Sequence, residues 1–363
     1  MSKKGKVLLG MSGGVDSSVA AALLAEEGYE VIGLTMKLYD YQKMGIPTAR
    51  GGCCGIDLID DARLVCSKLN IPHYVVDFSE SFRKKVIDDF AGEYNRGRTP
   101  NPCIACNTYI KWGEMLSYSK KLDCHYIATG HYARIGKDTG KYRLYRAVNK
   151  DKDQSYALWG IPKDTLQNTL LPLGEFSKEK VRNVAAEKGF RNAERPDSQE
   201  ICFIPDNDYA GALKRWLGED SPAFEPGPVY DTSGNKLGEH KGFASYTIGQ
   251  RRGLGISAKT PLYVIKINKD ENSVVVGSDH ELRVSEFTVS SVNLLVDEDD
   301  IPREITVKIR YKHNDSGATV DFYGDGMTVR FEDLQRAVTP GQSAVFYSGD
   351  LVIGGGIIGE VAR

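Results

Sequence analysis

The chain has 363 residues, 41% of them apolar and 26% charged, with a formal net charge of −2; this excludes a disordered chain or a globally basic one, and gives length enough for two or three domains with a real core. No apolar run reaches the length of roughly eighteen residues that a membrane helix needs, and Met1 to Gly5 carries no signal-peptide pattern, so a cytoplasmic location without a membrane is expected. Seven cysteines, an odd number in a long chain, do not read as a secreted disulfide framework.

Lys6 to Met11 is an apolar run that reads as a short buried strand. Ser12-Gly13-Gly14-Val15-Asp16-Ser17-Ser18 follows, and Val19 to Ala25 reads as a buried helix closed by Gly28. A strand, a glycine turn and a helix N-terminus together make an anion site, because close-lying backbone N–H groups and the helix dipole both favour negative charge. The lysine of a Walker A loop is missing; Ser12, Ser17 and Ser18 supply hydroxyls, with Asp16 among them. In this context the seven residues resemble the pyrophosphate-binding loop of the ATP-pyrophosphatase superfamily. That resemblance implies cleavage of ATP to AMP and pyrophosphate while a carbonyl oxygen is adenylated.

Glu30 to Met36 is a second strand, and Leu38 to Gly55 a long loop carrying Cys53-Cys54. Ile59, Ala62, Cys66 and Leu69 mark an amphipathic helix, where Cys66 reads as core. His73 to Phe78 is a third strand, a helix follows with Phe82, Val86, Phe90 and Tyr94 on one face, and Cys124 to Thr129 is a fourth strand ending at Gly130-His131. Alternation of this kind predicts a doubly wound parallel sheet, with ligands at the carboxyl ends of its strands, where Ser12, Met36 and Gly130 all fall. From Tyr132 to Val148 the period changes to two around Lys137-Asp138-Thr139-Gly140, a hairpin signal. A helix capped by Ser177 and closed by Gly189 follows, and Pro222 to Pro228 reads as a linker. Beyond Pro261 short strands crowd together up to Tyr347, which predicts a small antiparallel barrel. The expected domains are 1–208, 209–280 and 281–363.

Two segments carry more than structure. In Gly97-Arg98-Thr99-Pro100-Asn101-Pro102-Cys103-Ile104-Ala105-Cys106-Asn107 the prolines predict a loop that enters a helix near Asn107, with Cys106 at its start. The dipole there would favour a thiolate. Asp197 to Ile204 reads as a strand bearing Cys202. Together with the phosphate loop, the blocks GMSGGVDSS, GRTPNPxxxCN, ATGHYAR, DKDQSY, DSQEICFI, TIGQRRGLGI and TPGQSAVFY resemble, in order and over essentially the whole chain, the bacterial tRNA-specific 2-thiouridylases (MnmA type).

The resemblance implies an ATP- and Mg²⁺-dependent sulfurtransferase. Such an enzyme adenylates the 2-carbonyl of a wobble uridine in tRNAs for Lys, Glu and Gln, then replaces that oxygen with persulfide sulfur from a cysteine desulfurase or relay protein. It assigns ATP to Gly10, Met11, Ser12, Gly13, Gly14, Val15, Asp16, Ser17, Met36 and Gly130. It makes Cys106 the nucleophile and Cys202 the persulfide carrier. It puts Asn101, Pro102 and Cys103 against the target base, and His131, Lys152, Asp153, Gln154, Arg310, Tyr311 and Gln342 against tRNA. Bottom-up chemistry agrees, since a urea-like carbonyl needs its oxygen turned into a leaving group before a sulfur nucleophile displaces it.

One position departs from the commonly described pattern: Cys103 stands where the best-known members have an aspartate proposed as general acid/base. Three readings of Cys103, Cys106 and Cys202 are open: a 4Fe–4S cluster with one free iron, a metal-free redox pair, or a zinc site. Arg134, Lys137, Lys141, Arg143, Arg146, Lys150 and Lys152 crowd the hairpin and its exit, either as a phosphate-binding strip or as a solvated face, and Arg251-Arg252 adds a second candidate contact. Two other classes compete: a ligase of the same superfamily acting on a small metabolite, and a non-catalytic sulfur carrier or RNA-binding protein.

Overall fold

The computed structural model describes residues 4–39, 56–196, 201–324 and 326–362. Cys53, Cys54 and the Asp197–Glu200 part of the Cys202 segment lie outside them. Five parallel strands form the first sheet: β1 (Lys6–Gly10), β2 (Glu30–Lys37), β3 (His73–Asp77), β4 (Tyr126–Ala128) and β7 (Thr169–Leu170), in the order β3-β2-β1-β4-β7. Val7, Leu8 and Leu9 are wholly buried, as a strand covered by helices on both faces requires. The order reverses between β1 and β4, and a doubly wound sheet opens a crevice at such a point. Helix α1 (Val15–Glu26) leaves β1 there, and α2 (Ile56–Lys68) packs beside it with Ala62, Val65 and Cys66 inward.

A four-stranded sheet follows, from β8 (Gly227–Asp231), β9 (Lys236–His240), β10 (Tyr263–Asn268) and β11 (Ser273–Gly277). The expected barrel is present: β12 (Arg283–Leu294), β15 (Gly326–Arg336), β14 (Ser316–Tyr323), β13 (Ile305–Lys308), β16 (Ser343–Ser348) and β17 (Leu351–Val361) pair in that order, and β17 returns to β12. Closure removes sheet edges inside the barrel. The hairpin β5 (Ala133–Asp138) and β6 (Lys141–Arg146) joins β17 through Leu351 and Tyr145, so chain from between the strands of the parallel sheet extends the barrel sheet. Strands β10 and β11, among the short strands beyond Pro261, form part of the middle sheet and not of the barrel.

Candidate ATP and sulfur-transfer site

Gly14 is the N-cap of α1, and no side chain caps it. The helix therefore presents its first-turn backbone toward the crevice, where an anion is the natural partner. Side chains brace the turn from within. Ser17 Oγ accepts from Ser12 N at 3.2 Å and donates to Gly14 O at 3.1 Å, while Ser18 Oγ donates to Gly14 O at 2.9 Å. Behind it, Asn192 Nδ2 donates to Gly13 O at 2.8 Å and Ser18 Oγ at 2.9 Å. Gly130, at the end of β4, lies so close that a Cβ there would come within 2.9 Å of Asp16 C and Ser17 N. Ser12 and Gly130 thus meet at the switch point, as the strand order requires.

Asp16 is held by groups the sequence did not single out. Lys178 Nζ reaches its two carboxylate oxygens at 2.7 and 2.9 Å, and Tyr132 OH donates to Oδ1 at 2.7 Å. Lys178 opens helix Lys178–Glu187, N-capped by Ser177 as expected. Beside them, His131 Nδ1 lies 2.7 Å from Thr129 Oγ1 and Nε2 lies 3.2 Å from Lys111 Nζ. An ammonium only donates, so Nε2 accepts and the ring proton sits on Nδ1. Burial first, and Lys111 second, hold this histidine neutral, well below its ordinary pKa.

The prolines open a helix where the sequence reading had them exclude one. Residues 102–121 are helical throughout, with Pro102 in the first turn and a π-helical stretch at Cys106–Met115. Proline fits there because its missing N–H would have no helical partner. Asn101 is the N-cap, its Oδ1 accepting from Cys103 N at 3.1 Å. Cys103 is therefore the first-turn cysteine, and Cys106 lies a turn further in, at the C-cap of the opening segment. Cys103 is exposed, Cys106 and Cys202 half-buried. Cys202 sits in a turn, not a strand, with Ile204 N donating to Ile201 O at 2.9 Å and Tyr39 OH to Cys202 O at 2.7 Å. Its neighbour Phe203 is locked edge-on against Phe82 and Phe90. Cys106, Cys202 and Met36 all pack against that one cluster. Among the described residues no group of three or more His, Cys, Asp or Glu is placed to hold a metal ion. Cys103, Cys106 and Cys202 are thus not gathered as the ligands of a single ion such as zinc. Cys66 is wholly buried, and burial pushes its thiol up to about 12; burial also raises Cys124.

The tRNA candidates divide. Asp153 is buried and accepts from Ala147 N, Ser155 N and Ser155 Oγ, while Gln154 Oε1 accepts from Tyr132 N at 2.9 Å; both side chains shape the backbone. Lys152 is half-buried in a short 3₁₀ turn. Arg310 donates to Arg336 O at 3.2 Å, and Tyr311, 40% exposed, faces Tyr156 with ring centres 6.3 Å apart. Tyr156 OH donates to Ser343 O at 2.9 Å, next to Gln342, whose amide lies on the 99–100 backbone. A strip therefore runs from Asn101 past Gln342 to Tyr311.

Four cations of the basic hairpin are engaged by carboxylates, while Lys137 and Lys150 stay exposed. Arg143 is 5% exposed and pairs with Asp300, Lys141 bridges Asp297 and Asp300 at 2.5 and 2.8 Å, Arg134 reaches Asp350 at 3.0 Å, and Arg146 reaches Asp315 at 3.0 Å while lying over the Tyr347 ring. These cations tie the hairpin to the barrel.

Three family profiles match the chain in order: "tRNA methyl transferase HUP domain" over residues 5–206, "tRNA methyl transferase PRC-barrel domain" over 214–278 and "Aminomethyltransferase beta-barrel domain" over 284–358. Among curated proteins, the chain is 48% identical to the tRNA-specific 2-thiouridylase MnmA of Lachnoclostridium phytofermentans, covering 97% of this chain and 99% of that protein. It is also 48% identical to the protein of the same name from Clostridioides difficile, with 97% and 98% covered, and to that of Acetivibrio thermocellus, with 99% and 100% covered. A solved 4-thiouridine synthetase–RNA complex with bound ATP aligns at TM-score 0.33 and 18% identity over 56% of this chain and 46% of that one, a slight likeness.

Proposed function

Since the chain belongs to the tRNA-specific 2-thiouridylases, we propose that its residues divide an ATP-dependent sulfur transfer to a wobble uridine as follows. The braced turn Ser12–Gly14 and the start of α1 bind the phosphates of ATP, with Met36 and Gly130 lining the crevice. Asp16 would hold the Mg²⁺ that accompanies the nucleotide, an ion that supplies charge neutralisation on the phosphates, and Lys178 adds a second positive charge. The uridine 2-oxygen attacks the α-phosphorus, pyrophosphate leaves, and the N3 proton passes to a base. Neutral His131, whose one lone-pair nitrogen is engaged by Lys111, would hold that ammonium in place and not take the proton itself. The base itself must leave its stack and lie against Asn101, Pro102 and Cys103.

Sulfur then arrives as a persulfide on Cys202. Its terminal sulfur displaces AMP from C2, and Cys106 thiolate attacks Cys202 Sγ. The sulfur–sulfur bond breaks, the base keeps its sulfur, and a Cys106–Cys202 disulfide remains for an external thiol to reduce. No step passes through a metal cluster. The observation that carries this reading is that Cys106, Cys202 and Met36 pack against one hydrophobic cluster, with Met36 near the carboxyl end of β2. A cysteine desulfurase or a relay protein loads Cys202, and tRNAs for Lys, Glu and Gln are the substrates. Among the described residues no helix is long and apolar enough to cross a membrane, and the cytoplasm, where tRNA is, is the setting. Lys152, Arg310 and Tyr311 hold the tRNA, and the domains 1–208, 209–280 and 281–363 carry the nucleotide, the linking sheet and the barrel.

The test is pyrophosphate release with and without a tRNA bearing wobble uridine, with 2-thiouridine measured by mass spectrometry of the digested product. Release that requires that tRNA, and thionucleoside that requires both Cys106 and Cys202, is the expected result. Release driven by a small carboxylate without tRNA would favour a metabolite ligase, and tRNA binding without any release would favour a carrier.

A further inference from the structure

Gln342 precedes β16 in the turn Thr339-Pro340-Gly341-Gln342, and its main chain is fixed to the barrel. Gln342 O accepts from Ile358 N at 2.8 Å, and Gly341 N donates to Ile358 O at 2.9 Å. Its side chain points the other way. Nε2 lies 2.7 Å from Thr99 O and 3.2 Å from Pro100 O. Both partners are carbonyls, so the amide nitrogen and not its oxygen faces them. The same turn makes two further contacts with this stretch. Thr99 N donates to Pro340 O at 2.9 Å, and Gly341, at φ +90°, comes so close that a Cβ would lie 2.9 Å from Thr99 N. Arg98 reaches Ile358 O at 3.4 Å. Immediately beyond the gripped residues, Asn101 caps the helix that carries Cys103 and Cys106.

We infer that Gln342 is a positioning residue: the barrel, through this amide, clamps the backbone of residues 99–100 and so sets where Asn101, Cys103 and Cys106 stand. This assigns the barrel a part in the chemistry besides RNA binding. A loop with two prolines and an N-cap has little backbone freedom of its own, and fixing its upstream end fixes the rotation at which the helix starts. The inference rests on the reading of residues 101–106 as the base and sulfur loop.

The full-length variant Gln342→Glu keeps the shape and replaces the donor with an oxygen that faces two carbonyls. Three measurements decide: single-turnover 2-thiouridine formation at saturating tRNA and ATP, tRNA affinity over a range of salt, and iodoacetamide alkylation of Cys103 without RNA or ATP, followed by mass spectrometry. Thiolation should fall by roughly tenfold to a hundredfold, the loss expected when reacting groups are misplaced by about an ångström. Affinity and its salt slope should stay unchanged, and Cys103 alkylation should change several-fold. Cys66, wholly buried, reports global unfolding by becoming reactive. Unchanged Cys103 alkylation overturns the clamp. Altered alkylation with unchanged thiolation overturns instead the reading of 101–106 as the reacting loop. Weakened tRNA affinity returns Gln342 to the RNA surface and overturns the inference. If Cys66 does become reactive, Gln342→Lys decides: it keeps a donor, so a clamp retains thiolation at unchanged affinity, whereas a phosphate contact would bind tRNA more tightly.

Discussion

Lys178 places an ammonium in the first turn of a helix, where the dipole is positive and a cation costs about 0.3–1 kcal/mol. Its side chain is only 12% exposed, and Asp16 offsets the charge. An arrangement that works against the helix yet aims at the phosphate turn points to nucleotide chemistry. Lys178→Met should lower tRNA-dependent pyrophosphate release by roughly 10²–10³, the range for losing one transition-state charge partner, with tRNA affinity unchanged. Unaltered release would limit Lys178 to holding Asp16. The serines and glycines of the loop were legible because local order alone makes the turn. Lys178, Tyr132 and Asn192 were not, because each reaches the loop from a distant segment whose own sequence explains it as a helix start, a hairpin entry or a turn.

The helix over residues 102–121 shows how an element can be read correctly in its residues and wrongly in its bounds. Pro102 breaks a helix in its interior, but at the first turn it is a starter, and Asn101 supplies the cap. Asn101→Ala should therefore cost about 1 kcal/mol of stability, whereas Asn101→Asp, an equal cap, should keep the melting temperature and still lose thiolation. Retention of both in Asn101→Asp would place its whole role in the cap. The hairpin β5–β6 was legible as a hairpin, while its partners were not, since Asp297, Asp300, Asp315 and Asp350 lie far along the chain. Arg143→Glu should lower the melting temperature by a few degrees and leave the salt slope of tRNA binding intact. A flattened slope would restore the hairpin as an RNA contact. Strand β17 lies beyond Tyr347, where the expected strands end, and its Gly354, Gly355 and Gly356 weaken a strand pattern. Gly355 is there for space, since a Cβ would lie 2.6 Å from the Trp159 ring.

At the scale of the molecule, burial depresses four of the six histidines, His73, His131, His240 and His313. The unfolded chain protonates them near pH 6.5 and the folded chain does not. Below that value the unfolded state binds more protons, and stability falls with pH. Each of the four contributes at most about 1.4 kcal/mol per pH unit. Denaturant midpoints should thus drop steadily from pH 7 to pH 5, and the drop should shrink in His131→Gln. A flat profile would mean that the histidines titrate alike in both states. The pairing of Tyr145 with Leu351 has a temporal consequence as well. During synthesis the hairpin emerges about 200 residues before the strand that receives it, an interval of roughly 10–40 s at ordinary elongation rates. Throughout that interval the arginines destined for the barrel's aspartates stand in water, and the segment that shapes the nucleotide crevice has no finished wall. Chain order makes the reactive half of the molecule the part that waits, and the last barrel strand the one that completes it.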